Sequence, residues 1–400
     1  KRPELLAPAG SFDKLKTAIH YGADAVYLGL TGFSLRAKGD NFDDEQLKSA
    51  VDYAHAHGKK AYVTVNVFLH NGDLHPLRHH IECLREIKPD GVIVSDLGAL
   101  DALTETAPEL PIHISTQANI TNWRSARLYE RLGAKRLVLA RELSIDEIRE
   151  IREHVSIELE CFVHGSICIS YSGRCYISAF LANRSANSGL CTNSCRWSYT
   201  LMEEKRPGEH LPVYEDDRGT YVMSSRDLCM IEHLDKLCEA GVDSFKLEGR
   251  VKGVNYLATV VKVYREAIDT LVDGSDYVVD QRWLAELSSV SNRGFTTGMY
   301  LGRQPDGHYN HDEQDMYKGS HNILGVVRSV GDGWGEVSLK GKLAVGDSVE
   351  FLSPGLEGAV LRLQQMKDVF GNPIASARNE DTVVIPITEG VRKNDLLRRK

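Results

Sequence analysis

Cys168, Cys175, Cys191 and Cys195 share one stretch of the chain, with the spacing C-x6-C-x15-C-x3-C. Thiolates are soft donors. Four of them grouped in an otherwise ordinary sequence suit zinc or an iron–sulfur cluster better than a disulfide framework. Zinc sites usually bring two C-x2-C knuckles, and none occurs here. The irregular spacing therefore leans towards iron–sulfur, with zinc or merely buried thiols as the alternatives. Arg174 and Arg196 each adjoin one of these cysteines. They could neutralise a thiolate-rich centre or touch RNA phosphates, or be ordinary solvated cations. Tyr171, Tyr176 and Trp197 could stack an unpaired base or shield the centre.

Other residues have types suited to chemistry. His164 could carry protons or bind a phosphate, or it could support a loop. Lys246, Glu248 and Arg250 alternate along one strand-like run, so they share a face. They read either as an internal ion network or as a grip on a carboxylate or phosphate. Asn66, Gln117, Asn119, Arg141 and Glu142 follow apolar runs and suit ligand recognition or loop support. Glu4 reads as an ion-pair partner before a catalyst. Cys83, Cys161 and Cys238 fit buried positions. The histidine-rich His75–His80 holds neither a carboxylate nor a thiol, so it reads as a solvated helix face before a second metal site. No H-E-x-x-H or G-x-S-x-G motif occurs, and the grouped thiols do not look like the single activated thiol of a cysteine protease.

These residues need a scaffold. Short apolar runs at Glu4–Ala7, Ala25–Leu28, Ala61–Asn66, Gly91–Ser95, Ile112–Thr116, Arg136–Ala140, Ile157–Val163 and Ser244–Glu248 read as strands. Amphipathic segments such as Ser11–Tyr21, Asp44–His57, Leu74–Ile87 and Ser144–Glu153 alternate with them. Ser11 is a helix cap, Ser144 and Glu147 form a capping box, and Gly22, Gly58 and Gly133 suit helix ends. Eight strand–helix units imply an α/β fold, a (β/α)8 TIM-like barrel, with a doubly wound sheet as the alternative. The cysteine segment becomes a long insertion over the barrel mouth. Helix Val254–Val272 closes the barrel. From Leu324 the pattern turns to short β-branched runs, a small all-β barrel or sandwich. The expected domains are 1–285, with the insertion at about 165–225, a connector at 286–320 and the small β domain at 321–400.

Composition bounds the rest. The 400 residues carry a net charge of −8, which argues against non-specific nucleic-acid binding but permits a local basic groove. The last 80 residues are nearly neutral, with 11 Lys/Arg against 10 Asp/Glu. No run reaches the roughly 20 apolar residues of a membrane helix, so a cytoplasmic protein with no membrane partner is expected.

Residues Glu160–Ser178 follow the pattern Glu-x-Phe-x2-Gly-Ser-Ile-Cys-x4-Gly-x-Cys-x-Ile-Ser. With PELLAPAG near the start, GADAVYLG at Gly22–Gly29, STQANITNW at Ser115–Trp123, CTNSCRW at Cys191–Trp197 and FKLEGR at Phe245–Arg250, this resembles the collagenase-like peptidase U32 family over nearly the whole chain. RPGEH at Arg206–His210 and CTNSCRW resemble the branch that makes 5-hydroxyuridine at the wobble position of tRNA. The resemblance implies a tRNA substrate, a prephenate-linked small-molecule donor, accessory proteins and a 4Fe-4S cluster. Cys168 and Cys175 match the signature cysteines, and Cys191 and Cys195 the C-x3-C of that branch. Cys229 is a reserve fourth ligand. Peptidase activity and a zinc-pinned, non-catalytic scaffold are the rival functions.

Overall fold

The computed structural model describes residues 2–35, 41–168, 170–196, 214–216, 219–221, 225–272, 277–302, 323–355 and 359–399. Eight parallel strands form a closed barrel: β1 (Glu4–Ala9), β2 (Ala25–Gly29), β3 (Lys60–Val65), β4 (Gly91–Val94), β5 (Ile112–Ile114), β6 (Arg136–Val138), β7 (Glu158–Ser166) and β8 (Ser244–Leu247). Each pairs with the next, and β8 pairs with both β7 and β1. The helices between and after them are α1 (Phe12–His20), α2 (Asp44–Ala56), α3 (Leu74–Ile87), α4 (Leu97–Thr106), α5 (Trp123–Arg131), α6 (Ile145–His154), α7 (Leu234–Glu239) and α8 (Val254–Val272). The expected TIM-like barrel is therefore the fold.

Local signals start and stop these helices. Ser11 caps α1 through the Lys14 amide, and Ser144 with Glu147 closes a capping box on α6. Asp43 and Gln46 form another on α2. Gly22, Gly58 and Gly133 have positive φ at helix ends, where a side chain would be strained. The main core lies between the sheet and the helices. A second, smaller apolar group of Leu6, Ala25, Tyr27, Tyr62 and Ile93 is formed by alternate residues of β1 to β4. Among the described residues, no helix is long and apolar enough to cross a membrane.

A charged network holds the N-terminal end of the barrel. Arg136 is 2% exposed and donates to Glu4 (2.6 Å), Glu160 (3.0 Å) and Glu158 (2.6 Å). The ammonium of Lys246 donates to the other oxygen of Glu160, at 2.6 Å. The Tyr62 hydroxyl and the Ser244 hydroxyl donate to Glu4. Glu4 thus takes the ion-pair role, and five strands, β1, β3, β6, β7 and β8, are tied together inside the barrel.

After α8 comes helix α9 (Gln281–Ser289), whose Trp283 and Leu287 join the barrel core. The boundary expected at 285/286 falls inside this helix. Val290 continues the helical spacing of Trp283 and Leu287 into the barrel core, and Tyr300 beyond the helix belongs to the same core. The small C-terminal domain is a seven-stranded antiparallel sheet with its own core, including Val327, Val337, Phe351 and Leu397. It grips the barrel directly. Tyr21 at the end of α1 donates to the Leu352 carbonyl (2.5 Å) and accepts from the Leu396 amide (3.1 Å). Arg398 bridges Glu350 of the sheet (2.7 Å) and Glu286 of α9 (2.8 Å).

Breaking one buried member of the network leaves its partners charged and uncompensated. Glu160→Gln is expected to cost about 3–5 kcal/mol in urea denaturation. Glu158→Gln, at a carboxylate 42% exposed, is expected to cost less than about 1 kcal/mol. Equal small losses for both would show that the network does not hold the barrel.

Candidate functional site

The C-terminal ends of the strands surround a cavity of about 70 Å³. Asn66 after β3, Gln117 after β5, Arg141 after β6, Phe162 on β7, and Lys246, Glu248 and Arg250 from β8 onward all line it. Lys246 is shared between this cavity and the network below. Burial lowers the pKa of its ammonium against the pull of Glu160. Burial also pushes the Glu160 carboxyl up, but Lys246 and Arg136 outweigh that and hold it below the usual carboxylate range. The 2.6 Å contact joins the two groups directly. Arg250 is buried and donates to Thr64 (3.3 Å) and Asn41 (3.1 Å). Arg141 lies over the Phe162 ring, its guanidinium carbon 4.1 Å from the centroid, and donates to the Ser166 carbonyl at 2.9 Å. Its buried Nε has no hydrogen-bond partner among the described residues. A guanidinium fixed in this way is ready for an anionic or carbonyl-bearing ligand.

A second cavity, of about 100 Å³, is lined by Cys168, Cys175, Cys191 and Cys195 together. It shares Leu35, Thr116, Gln117 and Arg141 with the first, so the four thiols stand beside the barrel mouth. All four are free of disulfides. Cys191 Sγ accepts from the Asn193 amide at 3.4 Å. Among the described residues, no three of the four sulfurs come within 4.8 Å of one another.

The insertion is docked by short-range fits. Gly173 has φ +71°, and a Cβ there would lie 2.0 Å from the Gln117 carbonyl oxygen. Only glycine lets the two backbones approach so closely. Glu142 accepts from the Ser172 amide (2.7 Å) and hydroxyl (3.1 Å). The Phe68 amide donates to the Asn187 carbonyl at 3.0 Å. Glu142, expected to recognise a ligand or support a loop, supports the docked insertion and also lines the second cavity.

His164 is not at the mouth. β7 carries one extra residue where its register with β8 shifts, between the pairs Lys246–Phe162 and Leu247–His164. The bulge breaks the inward alternation and turns His164 to the helix layer, against Tyr256 and Tyr264 of α8. Burial lowers its pKa to about 4. Cys229 is opposite His164 on an antiparallel strand, Asp227–Cys229. Its thiol is pushed up to about 11 by burial, its sulfur is 3.8 Å from the Tyr264 hydroxyl, and it lines neither cavity. Asn119 caps the turn Thr116–Ala118 in a left-handed conformation, and Arg174 is exposed; neither lines a cavity. The side chain of Arg196, and Trp197 and Arg206–His210 entirely, lie outside the described residues.

Tyr27, Ser34, Leu35, Thr64 and Phe162 line the mouth without having been expected there. Strand alternation through Tyr62 and Thr64, which share a face of β3, was a usable signal. Ser34 and Leu35 reach the mouth from a loop after β2, for which the sequence has no such pattern.

Residues 10–310 match peptidase family U32, and residues 319–398 match the peptidase family U32 C-terminal domain. A relative from Bacillus subtilis, tRNA hydroxylation protein P1, is 38% identical over 96% of this chain and 91% of its own length. The tRNA hydroxylation protein P of Escherichia coli is 36% identical over 98% of this chain and 95% of its own. A Porphyromonas gingivalis protein named collagenase is 34% identical over 99% of this chain and 97% of its own.

Two outcomes follow from this geometry. Gly173→Ala is expected to undock the insertion, seen as faster limited proteolysis there with the barrel's circular dichroism intact; unchanged cleavage would refute the close fit. The second concerns acid stability. An unfolded histidine takes up its proton near pH 6.5, whereas His164 does so only near pH 4. The unfolded state therefore binds the extra proton between those values, and stability falls by about 3 kcal/mol as pH drops through that window. His164→Gln should remove that part of the acid slope in denaturation measured at each pH.

Proposed function

The chain belongs to peptidase family U32, and from that membership we propose that it is an RNA-modifying enzyme that hydroxylates the wobble uridine of tRNA. The observation that carries this reading is the shared wall between the two cavities, with four thiols on one side, Lys246 and Arg250 on the other, and Arg141 lining both. Relatives named as tRNA hydroxylation proteins over nearly the whole length support it.

The residues present fit a 4Fe-4S cluster. Four soft donors surround one cavity, and one sulfur receives an amide hydrogen bond. Thiolates about 2.3 Å from a single tetrahedral zinc would crowd closer than these sulfurs do. Cys168, Cys175, Cys191 and Cys195 would hold the cluster, and Cys229 would not. Bound there, it would supply the one-electron chemistry that side chains lack. The protein's own groups bind and orient. Arg141 and Arg250 suit the carboxylates of a prephenate-linked donor, and Lys246, paired with Glu160, fixes the floor of the mouth. The Phe162 ring, covered on one face by Arg141, stiffens the wall between the cavities. In the insertion, Tyr176 and Phe180 are 72% and 78% exposed, a surface suited to stacking unpaired bases. A tRNA substrate implies work in the cytoplasm.

The peptidase reading needs a nucleophile paired with a base. Among the described residues no histidine lines either cavity, which favours the RNA reading over it.

In a bacterial strain unable to make 5-hydroxyuridine, the wild-type chain is expected to restore its derivatives in digested tRNA, read by mass spectrometry. Arg141→Met should abolish that restoration. Protein purified without oxygen is expected to hold about four iron and four sulfide per chain, reduced in Cys195→Ala and kept in Cys229→Ala. Wild type without hydroxylation in the complemented strain would sink the substrate assignment. Zinc without sulfide would sink the cluster.

A further inference from the structure

Away from both cavities, three side chains converge on the outside of the barrel. His79 and Cys83 stand one turn apart on α3, and Asp44 opens α2. Their ligand atoms all lie within 4.8 Å of one another, and the Cys83 sulfur is 4.0 Å from His79 Nε2. Taken alone, the histidine-rich stripe lacked a thiol and a carboxylate. The fold supplies both, the thiol from the next turn of the same helix and the carboxylate from the neighbouring helix. The expected burial of Cys83 does not hold either, since it is half-exposed.

A thiol, an imidazole and a carboxylate at this separation form a mixed soft, borderline and hard donor set of the kind that zinc accepts, with water as its fourth ligand. The surrounding field has the right sign, because Asp44, Glu86 and Glu82 all act on the Cys83 thiol as negative neighbours. His80 adds support from the same helix. Its Nδ1 is 3.5 Å from Asp44 Oδ1, long for a hydrogen bond but placed to orient the carboxylate. The His80 ring packs edge-on against Phe33, with centroids 4.9 Å apart.

We propose that Asp44, His79 and Cys83 bind a divalent cation of the zinc class that clamps α2 to α3. The clamp bears on the mouth without forming part of it. Asn41, three residues before Asp44, accepts from Arg250 at 3.1 Å, and Leu35, on the same β2–α2 connection, lines both cavities. Fixing the start of α2 fixes the position from which Asn41 meets Arg250. The site is independent of the reaction assigned to the mouth.

The test is a zinc titration of the full chain against a chromophoric chelator, with iron and sulfide measured on the same samples. Wild type is expected to bind one zinc per chain. Cys83→Ser and His79→Ala should each weaken that binding by about tenfold or more, with iron, sulfide and circular dichroism unchanged. Cobalt(II) in place of zinc should give a thiolate charge-transfer band that Cys83→Ser removes. Zinc should raise the melting temperature of wild type and not of either variant. Equal zinc affinity in wild type and both variants would overturn the proposal. So would zinc binding that disappears only when Cys168 or Cys191 is replaced.

Discussion

Charges placed inside a barrel must find partners there, and much of this structure follows from how Arg136, Glu160 and Lys246 do so. Arg136 and Glu160 are almost wholly buried, at 2% and 0% exposure. Arg136 is compensated by Glu4, Glu158 and Glu160, and Glu160 by both Arg136 and Lys246, so each buried charge has its counter-charge. Because Arg136 is on β6, Glu160 on β7, Lys246 on β8 and Glu4 on β1, satisfying them sets the relative heights of four strands. Those heights bring Arg141, Phe162 and Arg250 to one mouth. Lys246 joins the two regions, with its ammonium bound to Glu160 and its side chain in the cavity wall. Such a network is a matter of geometry more than net stabilisation, since desolvation offsets much of the attraction.

The bulge in β7 is the second decision. Gly165 follows it with a positive φ, and a Cβ added there would lie 2.5 Å from the Glu248 carbonyl oxygen. One extra residue turns His164 into the helix layer and points the chain out towards the insertion. The same stroke removes an obvious general base from the mouth and delivers four cysteines beside it. Glu142, Gly173 and Asn187 then hold the insertion against the ends of β3, β5 and β6 through backbone contacts. The C-terminal sheet is fastened to the barrel through Tyr21 and to the helix α9 through Arg398.

The repeating strands and helices were legible in the sequence because each depends on its own few residues: apolar runs, the Ser11 cap, the Ser144–Glu147 box and helix-ending glycines. The grouping of four cysteines was legible for the same reason, as spacing along one segment. The pairing of Lys246 with Glu160 was half legible. Alternation put Lys246 on an inner face, but its partner lies on another strand. What the sequence could not reveal depends on distance across the chain. A single-residue bulge inverted the expected place of His164, and a loop without periodicity brought Leu35 between the two cavities. Asp44 reached His79 and Cys83 only through the packing of two helices. Local hydrogen bonding and hydrophobic periodicity are properties of neighbours in sequence, and they fixed the barrel. Register, bulges and contacts between elements depend on the closed sheet as a whole, and they alone decided which side chains share the mouth.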